Sequence, residues 1–161
     1  MLALFPRGAR VEAGELELHG LGVNELAKRF GTPLVVYSEE DLRARARSFV
    51  RSSRGALLVY GTKAFPNVAL LRLLGEEGFG ADVSTLGELA FARRAGIEGE
   101  RLVVYGNNKS DDELAAAVEA GALVVLDALD EPERAARAGV RRVLVRVTPC
   151  LLYTSDAADE L

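Results

Sequence analysis

Short runs of β-branched and other apolar residues recur along this chain with helix-forming segments between them, and that rhythm restricts the fold more than any other feature. The runs are LVVY (34–37), ALLVY (56–60), GADV (80–83), LVVY (102–105), ALVVL (122–126) and RVLVRV (142–147). Their centres recur roughly every 20–24 residues, the length of a strand, a helix and two short connections. The runs are continuously apolar rather than alternating, as in strands covered on both faces. The expected sheet is therefore parallel and built of βα units. Two α/β architectures suit about five such units: an open doubly wound sheet, or the first part of a (β/α)8 TIM-like barrel, whose full length is about 250 residues.

The segments between the runs carry helix punctuation. Ser38 precedes an acidic first turn in SEEDLRARARSFVRSS, a helix is expected from Asn67 through Leu74 to Gly75, and another from Thr85 to Ala95 closed by Gly96. Ser110 with Glu113 three residues on forms a capping box at the head of SDDELAAAVEA, which Gly121 stops. Pro132 sits in the first turn of EPERAARA, and Gly139 follows its end. Residues 1–31 lie outside this rhythm: VEAGELELHG alternates in polarity like an exposed hairpin strand, and VNELAKRF reads as a short amphipathic helix. They are expected to belong to a second, β-rich domain, with the barrel-type domain over 32–149.

Composition narrows the function. The 161 residues carry 20 Lys+Arg against 24 Asp+Glu, for a net charge of -4, and the charges are interspersed. This leaves no basic stripe for nucleic acid and no cationic face for a membrane, and no apolar run reaches the length of a membrane span. The expected compartment is the cytoplasm and the expected partner a small molecule. The single cysteine, Cys150, excludes an internal disulfide framework and a cysteine-based zinc cage.

The last residues change character. After RVLVRVTP the chain runs CLLYTSDAADEL, and back-translation of Cys150 to Asp159 gives the read-through of a sequencing-library adapter. Residues 150–161 are therefore expected to be non-native, and the chain a fragment of a longer protein.

Only three lysines, Lys28, Lys63 and Lys109, stand among the 20 cationic side chains. Lys63 follows the run ALLVY, at the carboxyl end of an expected strand, where ligand sites gather in both candidate architectures. A lysine there is either a solvated loop residue or an amine able to condense with a carbonyl, which an arginine cannot do. Asp82 lies inside the short run GADV, so its carboxylate is either aimed at a site or accepts locally near the cap made by Ser84 or Thr85. Arg146 alternates with Val145 and Val147 and needs an acceptor, either a partner carboxylate or a ligand oxygen.

Three further features carry less. Gly78 and Gly80 give G-x-G, but they precede a strand and Val83 stands where a third small residue is wanted, so a dinucleotide loop is not expected. GNNKSDDE (106–113) is a turn leading into a capped helix, for which capping is sufficient explanation. His19, among polar neighbours, is expected at the surface rather than as a ligand.

Together these pieces resemble the diaminopimelate decarboxylases, pyridoxal-phosphate enzymes of the alanine-racemase-like barrel type and relatives of other amino-acid decarboxylases. The resemblance is carried by FGTPLVVYSEEDLRARAR, VYGTKAFPNVALLRLLGEEGFGADVSTLGELAFARRAG, ERLVVYGNNKSDDELAAAVEAGALVVLDALDE and VLVRVTP, and spans about residues 14–149. It implies a barrel fold, pyridoxal 5'-phosphate as cofactor, and Lys63, in YGTKAFPN, as the lysine that forms a Schiff base with it. By the same resemblance Asp82 and Arg146 are cofactor-site residues and no metal is used. The parent enzyme would convert meso-diaminopimelate to L-lysine and carbon dioxide, as a homodimer with a shared active site. The family continues V-T-P with glycine, where this chain has Cys150. The phosphate loops, a ring-stacking histidine and a cysteine-bearing segment would follow, so these 161 residues alone are expected to be inactive. Ornithine, arginine or carboxynorspermidine decarboxylases, and a non-catalytic pyridoxal-phosphate barrel protein, share the lysine and the barrel.

Overall fold

The computed structural model describes residues 4–147. The chain divides after Arg54 into two compact units.

The first unit opens with a three-stranded antiparallel sheet, β1 (Ala9–Glu12), β2 (Glu15–Leu18) and β3 (Leu21–Gly22), in that spatial order. Ala13 and Gly14 join β1 to β2 with Glu12 opposite Glu15, and both have positive φ, 50° and 83°. That two-residue connection matches the twist of a hairpin, and the hairpin expected over VEAGELELHG is present. Helix α1 (Val23–Phe30) follows, with Glu25 in its first turn and Lys28 and Arg29 in its last, the arrangement its macrodipole favours. Helix α2 (Glu39–Ser52) begins at Ser38, whose hydroxyl accepts from the Asp41 N–H at 3.2 Å.

The strand expected over Leu34–Tyr37 is not formed: these residues belong to no ladder, and Val35 is 75% exposed. A strand exists only by pairing, and the apolar run specifies a surface fit for a sheet without specifying a neighbour. Among the described residues no strand ladder includes this run.

The second unit alternates strand and helix: β4 (Val59–Gly61), α3 (Val68–Glu76), β5 (Gly80–Val83), α4 (Leu86–Arg94), β6 (Leu102–Val104), α5 (Asp111–Glu119), β7 (Leu123–Leu126), α6 (Glu131–Ala138) and β8 (Val143–Val145). All neighbouring strands are parallel, and the spatial order β4-β5-β6-β7-β8 repeats the chain order. A doubly wound sheet reverses its order at a switch point, whereas a barrel adds each strand beside the last. Of the two expected architectures, the structure is the partial (β/α)8 barrel.

Local chemistry sets the helix ends. The Asn67 side chain accepts from the Ala69 and Leu70 N–H groups, Thr85 from that of Glu88, and Ser110 with Glu113 completes the expected capping box. Gly139 ends α6 in the left-handed conformation at φ 87°. Gly80 serves a close approach: a Cβ there would lie 2.0 Å from the carbonyl oxygen of Arg101. Gly78, at φ 97°, makes the turn before it. The two glycines thus have structural work unrelated to nucleotide binding.

One face of the sheet packs on the helices. Ala81, Val83, Leu102, Val104 and Val124 form a single buried cluster with Leu71 of α3, Leu89 and Ala92 of α4, Leu114 and Ala117 of α5, and Ala135 of α6. Alternation then sends the intervening side chains to the other face.

Candidate functional site

Asp82 lies between two core residues of β5 and so points away from the helices. The same parity carries Tyr105 one residue past β6, Asp127 one past β7 and Arg146 one past β8 to that face. The ladder still holds two of them, because the Tyr105 N–H donates to the Val83 carbonyl at 2.8 Å and the Arg146 N–H to that of Leu126 at 2.9 Å. Polar residues thus stand in a row where the strands end.

Lys63 stands at the same level. β4 stops at Gly61 and the chain makes a 3-10 turn over Thr62–Ala64 before Asn67 starts α3. Thr62 is fully buried, with its hydroxyl 2.8 Å from the Asp82 carbonyl oxygen and 2.8 Å from Glu88 Oε2. That fixes the turn against β5 and α4 and leaves Lys63 exposed beside the sheet end. Among the described residues no ion pair holds its ammonium.

Gly61 is the strand partner of Asp82. Asp82 Oδ1 is buried and has no hydrogen-bond partner among the described residues. Burial pushes its pKa up, the nearby Glu88 carboxylate pushes it further, and the Lys63 charge opposes both. Thr85, one of the two residues expected to do so, makes the cap at α4, and Asp82 Oδ1 takes no part in it. Glu88 itself accepts from the Ser84 N–H at 2.6 Å.

Arg146 has found a carboxylate. Its Nη1 lies 3.0 Å from Asp127 Oδ2 and also donates to the Tyr105 hydroxyl, and the guanidinium carbon is 5.5 Å from the centre of the Tyr105 ring. Asp82 and Lys63 form one part of the row, and Tyr105, Asp127 and Arg146 the other.

Behind the second part lies a buried ion pair. Lys109 Nζ is 2.8 Å from Glu131 Oε1, with the two residues 2% and 0% exposed. Burial alone would raise the Glu131 pKa, but the Asp127 and Ala128 N–H groups and the Lys109 ammonium outweigh it and hold the carboxyl below its usual range.

Thr62, Glu88, Tyr105, Asp127, Lys109 and Glu131 were not anticipated as site residues. Tyr105 and Asp127 had a usable signal, since Tyr105 closes an apolar run and Asp127 directly follows one, as Lys63 nearly does. The buried pair had none, because its members lie 22 residues apart and nothing local marks either as buried. His19 is at the surface as expected, though its ring bridges Ser38 Oγ at 2.7 Å and Glu40 at 3.1 Å. The described residues hold no cluster of three or more side chains suited to a metal ion, and no helix among them is long and apolar enough to cross a membrane. The proposed adapter segment, residues 150–161, lies outside the described residues.

The donor set suits a group that bears an aldehyde and can share a proton. Among the described residues, a primary amine with no ion pair lies near a buried carboxylate oxygen that lacks a partner, with a guanidinium further along the same row. Pyridoxal phosphate is such a group.

Comparison with known proteins gives the same answer. The family described as "Pyridoxal-dependent decarboxylase, pyridoxal binding domain" matches residues 39–155. The diaminopimelate decarboxylase of Actinosynnema pretiosum subsp. auranticum is 45% identical over 149 residues, covering 91% of this chain and 34% of the relative. That of Aquifex aeolicus is 40% identical over 144 residues, covering 84% and 34%. The crystal structure of diaminopimelate decarboxylase from M. jannaschii in co-complex with L-lysine superposes with a TM-score of 0.76 at 29% identity, covering 86% of this chain and 35% of that one. The chain thus spans about a third of the length of the curated relatives it matches. With its profile matched across most of its length and its strands in barrel order, the chain belongs to the pyridoxal-dependent decarboxylase family and contains residues of its pyridoxal-binding domain.

Proposed function

We propose that this chain is the cofactor-attachment part of a carboxy-lyase that releases carbon dioxide from meso-diaminopimelate to give L-lysine. The observation that carries the proposal is the exposed Lys63 amine just past β4, close enough to Asp82 of β5 to act on its charge, with Asp82 Oδ1 buried and unpartnered among the described residues. The names of the relatives, and the L-lysine in the M. jannaschii complex, support this choice of substrate. The whole protein would act on a small amino acid, as a homodimer.

Pyridoxal phosphate, when bound, supplies the electron sink for the pair left behind as a carboxylate departs. Each residue of the row has a task toward it. Lys63 attaches the cofactor through its amine, and Thr62 fixes the turn that presents that amine. Asp82, its pKa raised by burial, holds or shares a proton at Oδ1. Glu88 sustains that property as a nearby negative charge. Arg146 orients an anionic oxygen of cofactor or substrate, with Asp127 and Tyr105 holding its guanidinium.

Borohydride reduction of the chain with pyridoxal phosphate, followed by peptide mass spectrometry, tests the attachment. Label on Lys63 is expected; label only on Lys28 or Lys109, or none, rejects it. A chimera with residues 4–147 in place of the matching part of the Aquifex aeolicus relative tests the reaction. It should release carbon dioxide from meso-diaminopimelate in preference to ornithine or arginine, and the reverse preference rejects the substrate.

A further inference from the structure

Burying an ion pair is costly, and replacing one with apolar residues of similar volume is often neutral or stabilising. The Lys109–Glu131 pair is almost completely buried, so stability alone does not account for it. Its contacts show where it acts. Lys109 Nζ donates to the carbonyl of Gly106 at 2.6 Å, and Gly106 is the residue after Tyr105. Glu131 Oε2 accepts from the N–H of Asp127 at 2.7 Å and of Ala128 at 3.3 Å. Glu131 Oε1 faces the Lys109 N–H at 3.5 Å, and the Lys109 carbonyl accepts from Arg134 at 2.6 Å. The pair thus grips the backbone beside Tyr105 and at Asp127, the two residues that hold Arg146.

We propose that Lys109 and Glu131 are positioning residues for Arg146: they lock the loops after β6 and β7 so that Tyr105 and Asp127 hold its guanidinium in one orientation at the strand ends. Both side chains are buried. The inference rests on the cofactor reading given above only for what Arg146 then orients; the locking itself is a property of this chain. It also accounts for the GNNKS turn, whose lysine is drawn inward while Ser110 caps α5.

Two paired variants separate positioning from mere stability. K109M/E131Q removes both charges but keeps an amide oxygen able to accept from the Asp127 N–H. K109M/E131L removes the acceptor as well. Two quantities are read: the Arg146 Nε–H signal in chain labelled with 15N-arginine, assigned by its absence in R146K, and the pyridoxal phosphate concentration that half-labels Lys63 on reduction. In K109M/E131Q, which keeps an acceptor for the Asp127 N–H but loses the Lys109 donor to the Gly106 carbonyl, both should move only part of the way. In K109M/E131L the Arg146 signal should move to the position of solvated arginines, and half-labelling should need about tenfold more cofactor, as expected for a lost hydrogen bond to a charged group.

Wild-type values of both in K109M/E131L overturn the proposal. Should that variant not fold, E131D decides: it keeps the charge for Lys109 but withdraws the oxygens from Asp127. An unmoved Arg146 signal in E131D overturns the proposal equally. If wild-type chain takes no label at Lys63 while the Arg146 signal responds as stated, the cofactor reading fails and the positioning stands.

Discussion

Asp82 and Glu131 are both carboxylates near a lysine, yet their environments push them in opposite directions. Glu131 is ringed by donors, so its ionised form is favoured; Asp82 Oδ1 has none among the described residues, so burial dominates. The consequence for pH is definite. With its folded pKa raised above the ordinary 3.8, Asp82 binds more proton in the folded than in the unfolded chain, so its contribution falls as pH rises from about that value through the raised one. D82N removes this slope. Urea midpoints measured upward from acid pH should show wild type losing stability relative to D82N across that window, and parallel curves would show that Asp82 is not desolvated. Glu131 gives the opposite limb: its stabilisation is complete above 4.5 and lost as pH falls through the depressed folded value. The opposition of Lys63 to the Asp82 shift also predicts that K63A raises the Asp82 pKa further, readable by carboxyl carbon NMR. Lys63, Asp82 and Arg146 could be singled out as candidates in the sequence because a charged residue in or just after an apolar run is locally anomalous. What each one meets was not, since Arg146 pairs with Asp127 19 positions away and with Tyr105 41 positions away.

Elements were most legible where their chemistry is local. Caps at Ser38, Asn67, Thr85 and Ser110 depend on groups within three residues and appear where expected. The run LVVY occurs twice and settles differently: at 102–105 its first three residues form β6, with buried side chains between β5 and β7, while at 34–37 it joins no sheet. Identical residues therefore do not fix an identical outcome, because pairing is supplied from a distance. Gly80 shows the reverse dependence, a long-range constraint visible as a single small residue. G80A should destabilise the second unit by about 1–3 kcal/mol, since the new Cβ meets backbone that cannot rotate away. S110A should cost about 1 kcal/mol by opening the capping box. Chemical denaturation of both checks the order; S110A more damaging than G80A would mean that the β5 backbone yields.

At the scale of the whole sheet, each inner strand has a neighbour on both sides and a helix above, and β8 has neither advantage in full. It ends the sheet order of the described residues, paired on one side with β7. Its residues Val143, Leu144 and Val145 are 43%, 50% and 68% exposed although they alternate between the two faces, so both faces of this strand meet solvent. An apolar strand whose outer edge is unpaired among the described residues invites pairing with another chain. The chain is therefore expected to self-associate as its concentration rises, with β8 as the contact. V145K places a charge on that edge without disturbing the β7–β8 ladder, and a substitution at so exposed a position should change stability by about 0.5 kcal/mol or less. Light scattering over a concentration series should show V145K staying monomeric well beyond the point at which wild type associates. Equal association of the two would place the contact elsewhere in the chain, and an unfolded V145K would show that Val145 carries more of the core than its exposure indicates.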